Sequence, residues 1–369
     1  MTATTDLTFD IRPASDPVSP AERDRLLAAP GFGQVFTDHM VTIRWSADRG
    51  WHDARLGPYG PLTLDPGTAV FHYAQECFEG LKAYRQADGS IATFRPLANA
   101  ARFNGSARRL AMPELPEHLF ARAIDTLVTQ DRDWVPATEG HSLYLRPFMI
   151  ATQVGLGINK PSQSYLFLLI ASPAAGYFSG GAAPVTVWLS EDYTRAAPGG
   201  TGETKSGGNY AAGFAGQQQA LDHGCDQVVW LDAKEHQRVE EMGGMNLFFV
   251  YGSGPGARMV TPPLGGTILP GITRDSLLKL GPDRGVPASE AHISVDQWRA
   301  DCASGELTEV FACGTAAVIT PVGGVRSASG DWEIADAKAG PVTTALREEL
   351  VGIQYGERPD PYGWMHKIC

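Results

Sequence analysis

The sequence predicts a two-domain protein that mixes α and β structure in both halves, and three observations carry that expectation. At 369 residues the chain is long for a single hydrophobic core. Short strand-type runs alternate with segments whose apolar residues recur every three or four positions. At 173–184, PAAGYFSGGAAP gathers Gly, Pro and Ala between two strand-type segments, the composition of a linker. The expected boundaries are a smaller N-terminal α/β domain at 1–176, a linker at 177–187 and a larger C-terminal domain at 188–369.

Taken in order, Pro13, Pro17, Pro20 and Pro30 suggest an extended arm. VTIRW at 41–45, AVFHYAQ at 69–75, GLKAYR at 80–85 and SIATF at 90–94 read as strands, the last two joined by an Asp88-Gly89 turn. Helical spacing covers 97–110 and 117–129, and strand character returns at 142–153 and 165–172. In the second half, strands are expected at 185–190, 226–232, 245–251, 309–312 and 317–321. Helices are expected there at 209–223, 271–280, 294–303 and 342–353.

Composition narrows the function. With 43% hydrophobic and 19% charged residues the chain is an ordinary globular one. Lys plus Arg number 30 against 41 Asp plus Glu, a formal charge of -11, which disfavours a general electrostatic hold on nucleic acid or an anionic membrane. The five cysteines (Cys77, Cys225, Cys302, Cys313, Cys369) include no C-x-x-C pair, so neither a disulfide framework nor a zinc site is expected, and a reducing cytoplasm fits. The start has no basic stretch followed by an apolar one, and the apolar run at 165–171 is too short to cross a bilayer.

The strongest chemical signal is GGTGETKSGGNY at 199–210, which sets Lys205 among five glycines just ahead of a helix. Lysine is scarce in this chain, and an amine kept in such a loop suggests a nucleophile, since guanidinium stays protonated whereas lysine can be neutralised. Three readings stand at this point. A flexible surface loop is one. A phosphate-binding P-loop is another, although Thr204 replaces the glycine of G-x-x-x-x-G-K-[ST] and the preceding strand ends too far upstream. The third is a Schiff-base lysine for pyridoxal phosphate, which also needs an acid for the ring nitrogen, a phosphate cup and a phenol. Glu240-Glu241 at the head of an apolar strand, LPGITR at 269–274 leading into a helix, and CGTA at 313–316 could supply them.

Together these segments resemble the branched-chain amino acid aminotransferases of the fold-type IV pyridoxal-phosphate group. The resemblance runs through FGQVFTDHM at 32–40, YAQECFEGLK at 73–82, SLYLRP at 142–147, the lysine loop, EEMGGMN, LPGITR, EVFACGTAAVITP and GIQYG at 352–356. It implies that Lys205 carries the cofactor and shuttles the substrate proton, that Glu241 pairs with the pyridine nitrogen and that Tyr210 bonds the ring oxygen. Arg102, Ile272, Thr273 and Thr315 would hold the phosphate, and Leu269 would pack on the ring. Phe32, Tyr73, Phe78, Tyr144 and Tyr177 would wall the substrate pocket, with Arg146 near the acceptor's second carboxylate and Gly244 and Ala316 in contact with substrate. The implied reaction takes L-leucine, L-isoleucine or L-valine and 2-oxoglutarate to branched 2-oxo acids and L-glutamate by a ping-pong route. The implied assembly is a homodimer with the cofactor between the domains.

Two departures from the family pattern stand out. Where some relatives have Gly-Thr-Met-Asn after the ring-nitrogen acid, this chain has Gly243-Gly244-Met245-Asn246, so a pocket hydroxyl is missing. Ala317 and Thr320 occupy the places of a C-x-x-C redox pair, which excludes that thiol switch. A D-amino acid aminotransferase or an aminodeoxychorismate lyase would keep the same lysine and glutamate with a different pocket, and a P-loop nucleotidase is the alternative from another class.

Overall fold

The structure, a computed structural model, describes residues 7–175 and 183–369. These form two compact units. The first gathers the described residues up to 175 with Lys205–Gly207 and Gly352–Cys369; the second gathers those from 183 to Thr204 with Gly208–Val351.

The first unit is built on one largely antiparallel sheet. In spatial order it runs Asp10–Ile11, Gly50–Pro58, His39–Ser46, Ser164–Ala174, Ser142–Ala151, Leu81–Arg85, Ile91–Phe94 and Met365–Lys367, with Glu76–Phe78 paired beside Ser142–Ala151. Because side chains alternate along a strand, Leu143, Leu145 and Met149 are buried while Tyr144 and Arg146 share the other face. The helices Pro96–Arg109 and Glu117–Gln130 contribute Ala100, Phe103, Ala107, Leu119, Phe120, Ala123 and Leu127 to this unit's core. Their three-and-four spacing is what the sequence showed.

The second unit closes a sheet on itself. Val239–Met242, Gln227–Leu231, Val185–Ser190, Val318–Arg326, Leu307–Gly314 and Met245–Tyr251 follow one another, and the first pairs again with the last. Closure encloses Val187, Leu189, Val229, Leu247, Phe249, Val310 and Val322 in one core. Arg258–Thr261 and Ala288–Glu290 extend this sheet beyond Met245–Tyr251. The helix Gly207–Asp222 lies against Trp230, and its glycines are required there: a Cβ on Gly216 would stand 2.6 Å from the indole.

Most expected elements appear within a few residues of their expected limits, and the differences have physical causes. The run at 69–75, read as a strand, is the short helix Ala69–Tyr73, closed by Ala74 in the left-handed region (φ 47°), after which the chain enters the strand Glu76–Phe78. Phe71 and Tyr73 are 61% and 41% exposed, so this apolar run is not covered as a sheet strand would be. The proline-rich arm contains the helix Pro20–Ala28, where Pro20 sits in the first turn and Ser19 Oγ accepts the Glu22 N–H at 3.3 Å. The end of the chain does not stay with the second half: Met365–Lys367 pairs with Ile91–Phe94, and Gly352–Cys369 belongs to the first unit. Part of the expected linker, 176–182, lies outside the described residues.

Candidate active site

In the first unit the lysine segment is laid against the strand Glu76–Phe78. Alternation buries Cys77 and turns Glu76 and Phe78 to the opposite side. There the Phe78 N–H donates to the Lys205 carbonyl at 2.9 Å and Glu76 Oε1 accepts the Gly207 N–H. The Lys205 N–H donates to Ser106 Oγ at 2.9 Å. Lys205 is therefore placed by its backbone, and its Nζ lies 5.1 Å from the centroid of the Phe78 ring. Burial pushes the Glu76 carboxyl upward, against the opposing pull of the Gly207 N–H and of Arg146.

Arg146 shares that ring. Its guanidinium carbon is 4.7 Å from the Phe78 centroid and 5.4 Å from that of Tyr144, and Nη2 donates to Tyr144 Oη at 3.2 Å. Among the described residues its buried Nε has no hydrogen-bond partner. Guanidinium carries five N–H donors, so this one is suited to bonding an anion. Phe32 meets Tyr144 edge to face at 5.0 Å. A Cβ on Gly80 would collide with Tyr144 Oη, which is why the tyrosine needs glycine beside it.

Arg102 is the other expected cation of this unit. On the helix Pro96–Arg109, Asn99, Arg102 and Ser106 fall three and four positions apart on one face, and all three bond to site segments. Arg102 Nε and Nη2 donate to the two oxygens of Glu79 at 2.7 and 2.8 Å. Tyr73 is held differently: its hydroxyl donates to the Leu156 carbonyl at 2.5 Å, and it lines a separate open cavity of about 590 Å³ with Gln75, Lys160 and Ser162. Tyr177 lies outside the described residues.

The second unit holds the remaining residues. Glu241, 2% exposed, accepts from the Leu269 N–H at 2.8 Å and from Asn246 Nδ2 at 3.2 Å, and Arg195 Nη2 is 3.1 Å from its other oxygen. Three donors thus meet this buried carboxylate. Glu240, its neighbour, accepts from Thr267 Oγ1 at 2.6 Å, and burial pushes its carboxyl upward. The two acids of the pair therefore sit in different environments, and Glu241 is the one that Asn246 and the Leu269 backbone hold.

Ile272 and Thr273 open the helix Ile272–Asp283, whose N-cap, Gly271, provides no side-chain acceptor. Their N–H groups belong to the first turn, where no intrahelical carbonyl is available. A Cβ at Gly271 would collide with Asn246 Oδ1, so the glycine keeps the helix start close to the residue that orients Glu241. Thr315 and Ala316 lie in the half-buried turn between Leu307–Gly314 and Val318–Arg326. Gly244 is exposed, and a Cβ there would stand 3.4 Å from the Tyr210 ring. An acid, a helix start, a hydroxyl turn and a phenol thus all occur in this unit, and an amine and a half-buried arginine in the other; these residue types fit the chemistry of pyridoxal phosphate.

Lys205 is not held as a P-loop lysine. Asn209 Nδ2 donates to the carbonyls of Thr201 and Thr204 at 2.6 and 2.8 Å, so a side chain folds the loop. Sequence reasoning did not single out Glu79, Arg195 or Asn246. Only Glu79 and Asn246 carried a signal, being inside quoted motifs.

Comparison with known proteins agrees with the geometry. The family model for amino-transferase class IV matches residues 76–325. A probable branched-chain-amino-acid aminotransferase of Streptomyces coelicolor is 58% identical over 363 residues, covering 98% of this chain and 99% of its own. Branched-chain-amino-acid transaminase 1 of Bacillus subtilis is 46% identical over 92% of this chain and 94% of its own. Among solved structures, the Escherichia coli branched-chain amino acid aminotransferase superposes with a TM-score of 0.73 at 26% identity, covering 89% of this chain and 99% of its own. That of T.th., complexed with N-(5'-phosphopyridoxyl)-L-glutamate, gives 0.71 at 27% identity over 89% and 98%.

Proposed function

The chain belongs to the class IV aminotransferases, and on that premise we propose that it moves the amino group of L-leucine, L-isoleucine or L-valine to 2-oxoglutarate with pyridoxal phosphate as cofactor. The observation that carries this reading is the pair of cations on one aromatic ring: Lys205 Nζ and the Arg146 guanidinium lie 5.1 and 4.7 Å from the Phe78 centroid. An amine nucleophile beside a half-buried arginine within an aromatic wall suits substrates that alternate between an aliphatic side chain and a second carboxylate.

Pyridoxal phosphate, when bound, supplies an electron sink for the substrate's Cα. The chain supplies the rest. Lys205 Nζ would hold the cofactor and, when free, would carry the proton of the substrate's Cα. Glu241 would pair with the ring nitrogen, and Tyr210 would donate to the ring oxygen. Arg102, the backbone N–H groups of Ile272 and Thr273 and the Thr315 hydroxyl bind the phosphate, and Leu269 packs on the ring. Phe32, Phe78, Tyr144 and Tyr177 would receive the aliphatic chain, Arg146 would receive the distal carboxylate of 2-oxoglutarate, and Gly244 and Ala316 would contact the substrate.

The reading extends to a homodimer in the cytoplasm, with a smaller and a larger domain. Exposed Phe71, Val154, Leu156 and Ile158 support self-association, and the five free cysteines support a reducing compartment. The test is the visible absorption of the purified protein with pyridoxal phosphate. The expected band bleaches with L-leucine and returns with 2-oxoglutarate, and Lys205→Ala shows neither band nor turnover. A wild-type protein without the band, or Lys205→Ala at wild-type rate, refutes the assignment.

A further inference from the structure

The buried carboxylate of Glu79 is not needed by the roles assigned so far. It stands between the strands Glu76–Phe78 and Leu81–Arg85, fully buried. Isolating a charge there is costly unless it is paired and hydrogen-bonded. Four N–H donors satisfy it: Arg102 Nε at 2.7 Å, Arg102 Nη2 at 2.8 Å, Asn99 Nδ2 at 2.7 Å and the Gly80 amide at 3.1 Å. Burial opposes the charge, yet Arg102, followed by Lys205 and Asn99, holds the carboxyl below its ordinary range.

We infer that Glu79 is a positioning residue for the transfer reaction, fixing the Arg102 guanidinium for an anionic phosphate and acting as counter-charge to the Lys205 amine. Its two oxygens take the Nε–Nη2 edge of the fork, so the plane of the guanidinium, and with it the direction of the other edge, is set before any anion arrives. Lys205 is anchored next to this pair by its backbone: the residue before Glu79 donates to the Lys205 carbonyl, and Ser106, one helical turn after Arg102, accepts the Lys205 N–H. The Lys205 charge adds to that of Arg102 in favouring the carboxylate, so one negative charge lies in the field of both cations. Gln at 79 would keep the shape but not the charge.

This inference rests on the proposed roles of Lys205 and Arg102, and its test includes a reading without cofactor. In the full chain stripped of pyridoxal phosphate, the rate at which an amine-directed reagent such as trinitrobenzenesulfonate modifies Lys205 at neutral pH is followed by peptide mapping. Glu79→Gln is expected to raise that rate on the order of three- to tenfold, because the ammonium form loses its counter-charge. It should weaken pyridoxal phosphate binding about tenfold as well. Glu79→Asp keeps the charge and withdraws it from Arg102, so the labelling rate stays near wild type while cofactor affinity falls about tenfold. Unchanged labelling in Glu79→Gln overturns the counter-charge role, and unchanged cofactor affinity in Glu79→Asp overturns the positioning role. Should Gln prevent folding, Glu79→Asp decides alone. A wild-type protein that gives no visible band with pyridoxal phosphate would refute the assigned function, a result the labelling rates do not depend on.

Discussion

Replacing Arg146 with Met separates substrate recognition from chemistry. Met keeps an unbranched chain against Phe78, where the guanidinium now stacks at 4.7 Å, and removes the charge and all the N–H donors. Among the described residues that guanidinium has a 3.2 Å bond to Tyr144 Oη, an electrostatic pull on Glu76 and a buried Nε with no partner, so the variant gives up one internal hydrogen bond and the charge facing Glu76. On its proposed role, what it loses is the contact to the second carboxylate of 2-oxoglutarate. Hydrogen bonds to a charged group contribute about 1.5–3 kcal/mol. Taking about 2–3 kcal/mol, and a tenfold change for each 1.36 kcal/mol, kcat/KM for 2-oxoglutarate should fall about 30- to 160-fold. The branched 2-oxo acids, which have no second carboxylate, should lose less than about threefold, under 0.7 kcal/mol by the same conversion. The assay is steady-state kinetics with each 2-oxo acid as acceptor against a fixed amino donor. Equal losses for both acceptors would show that Arg146 supports the site as a whole and would refute its role in reading the second carboxylate.

Glu241→Ala should bind pyridoxal phosphate but lower kcat by about a hundredfold or more, since the ring nitrogen loses the acid that keeps it protonated; an unchanged rate and spectrum would transfer the role to Glu240. Gly216→Val should lower stability by about 1–3 kcal/mol in urea unfolding, because even its Cβ would stand 2.6 Å from Trp230; an unchanged midpoint would show that the helix Gly207–Asp222 can shift away. Asp232→Asn tests pH dependence. The backbone N–H groups of Arg238, Glu235, Gln237 and Lys234 outweigh burial and depress the Asp232 carboxyl to about 2 from 3.8. A depressed carboxyl contributes stability above its unfolded value and loses it as pH falls through the folded one. The stability gap between wild type and Asp232→Asn should therefore be full at neutral pH and close between about pH 4 and 2; a gap that widens on acidification would contradict this.

Local signals account for much of what was legible beforehand. The spacing of Ala100, Phe103 and Ala107, or of Leu119, Ala123 and Leu127, is a property of consecutive residues, and both helices formed where that spacing placed them. The lysine loop, the acid pair and LPGITR were visible because each is contiguous, and their order along the chain identified the family. The run at 69–75 was misread because short apolar runs suit either element and only coverage by neighbours decides.

The sequence by itself determined which chemical groups are present, in what order, and most of the helices and strands that carry them. Tertiary structure decided which groups meet. Arg102 and Glu79 are far apart in sequence yet share two hydrogen bonds, Lys205 belongs with a strand formed long before it in the chain, and Met365–Lys367 completes a sheet begun near the other terminus. Between Glu240 and Glu241 composition and spacing offer no distinction and only the family resemblance chose Glu241, whereas the fold gives Glu241 the donors of Asn246 and Leu269. The reason is that periodicity and turn chemistry act over a few residues, while charge pairing, burial and close glycine contacts depend on segments that only folding brings together.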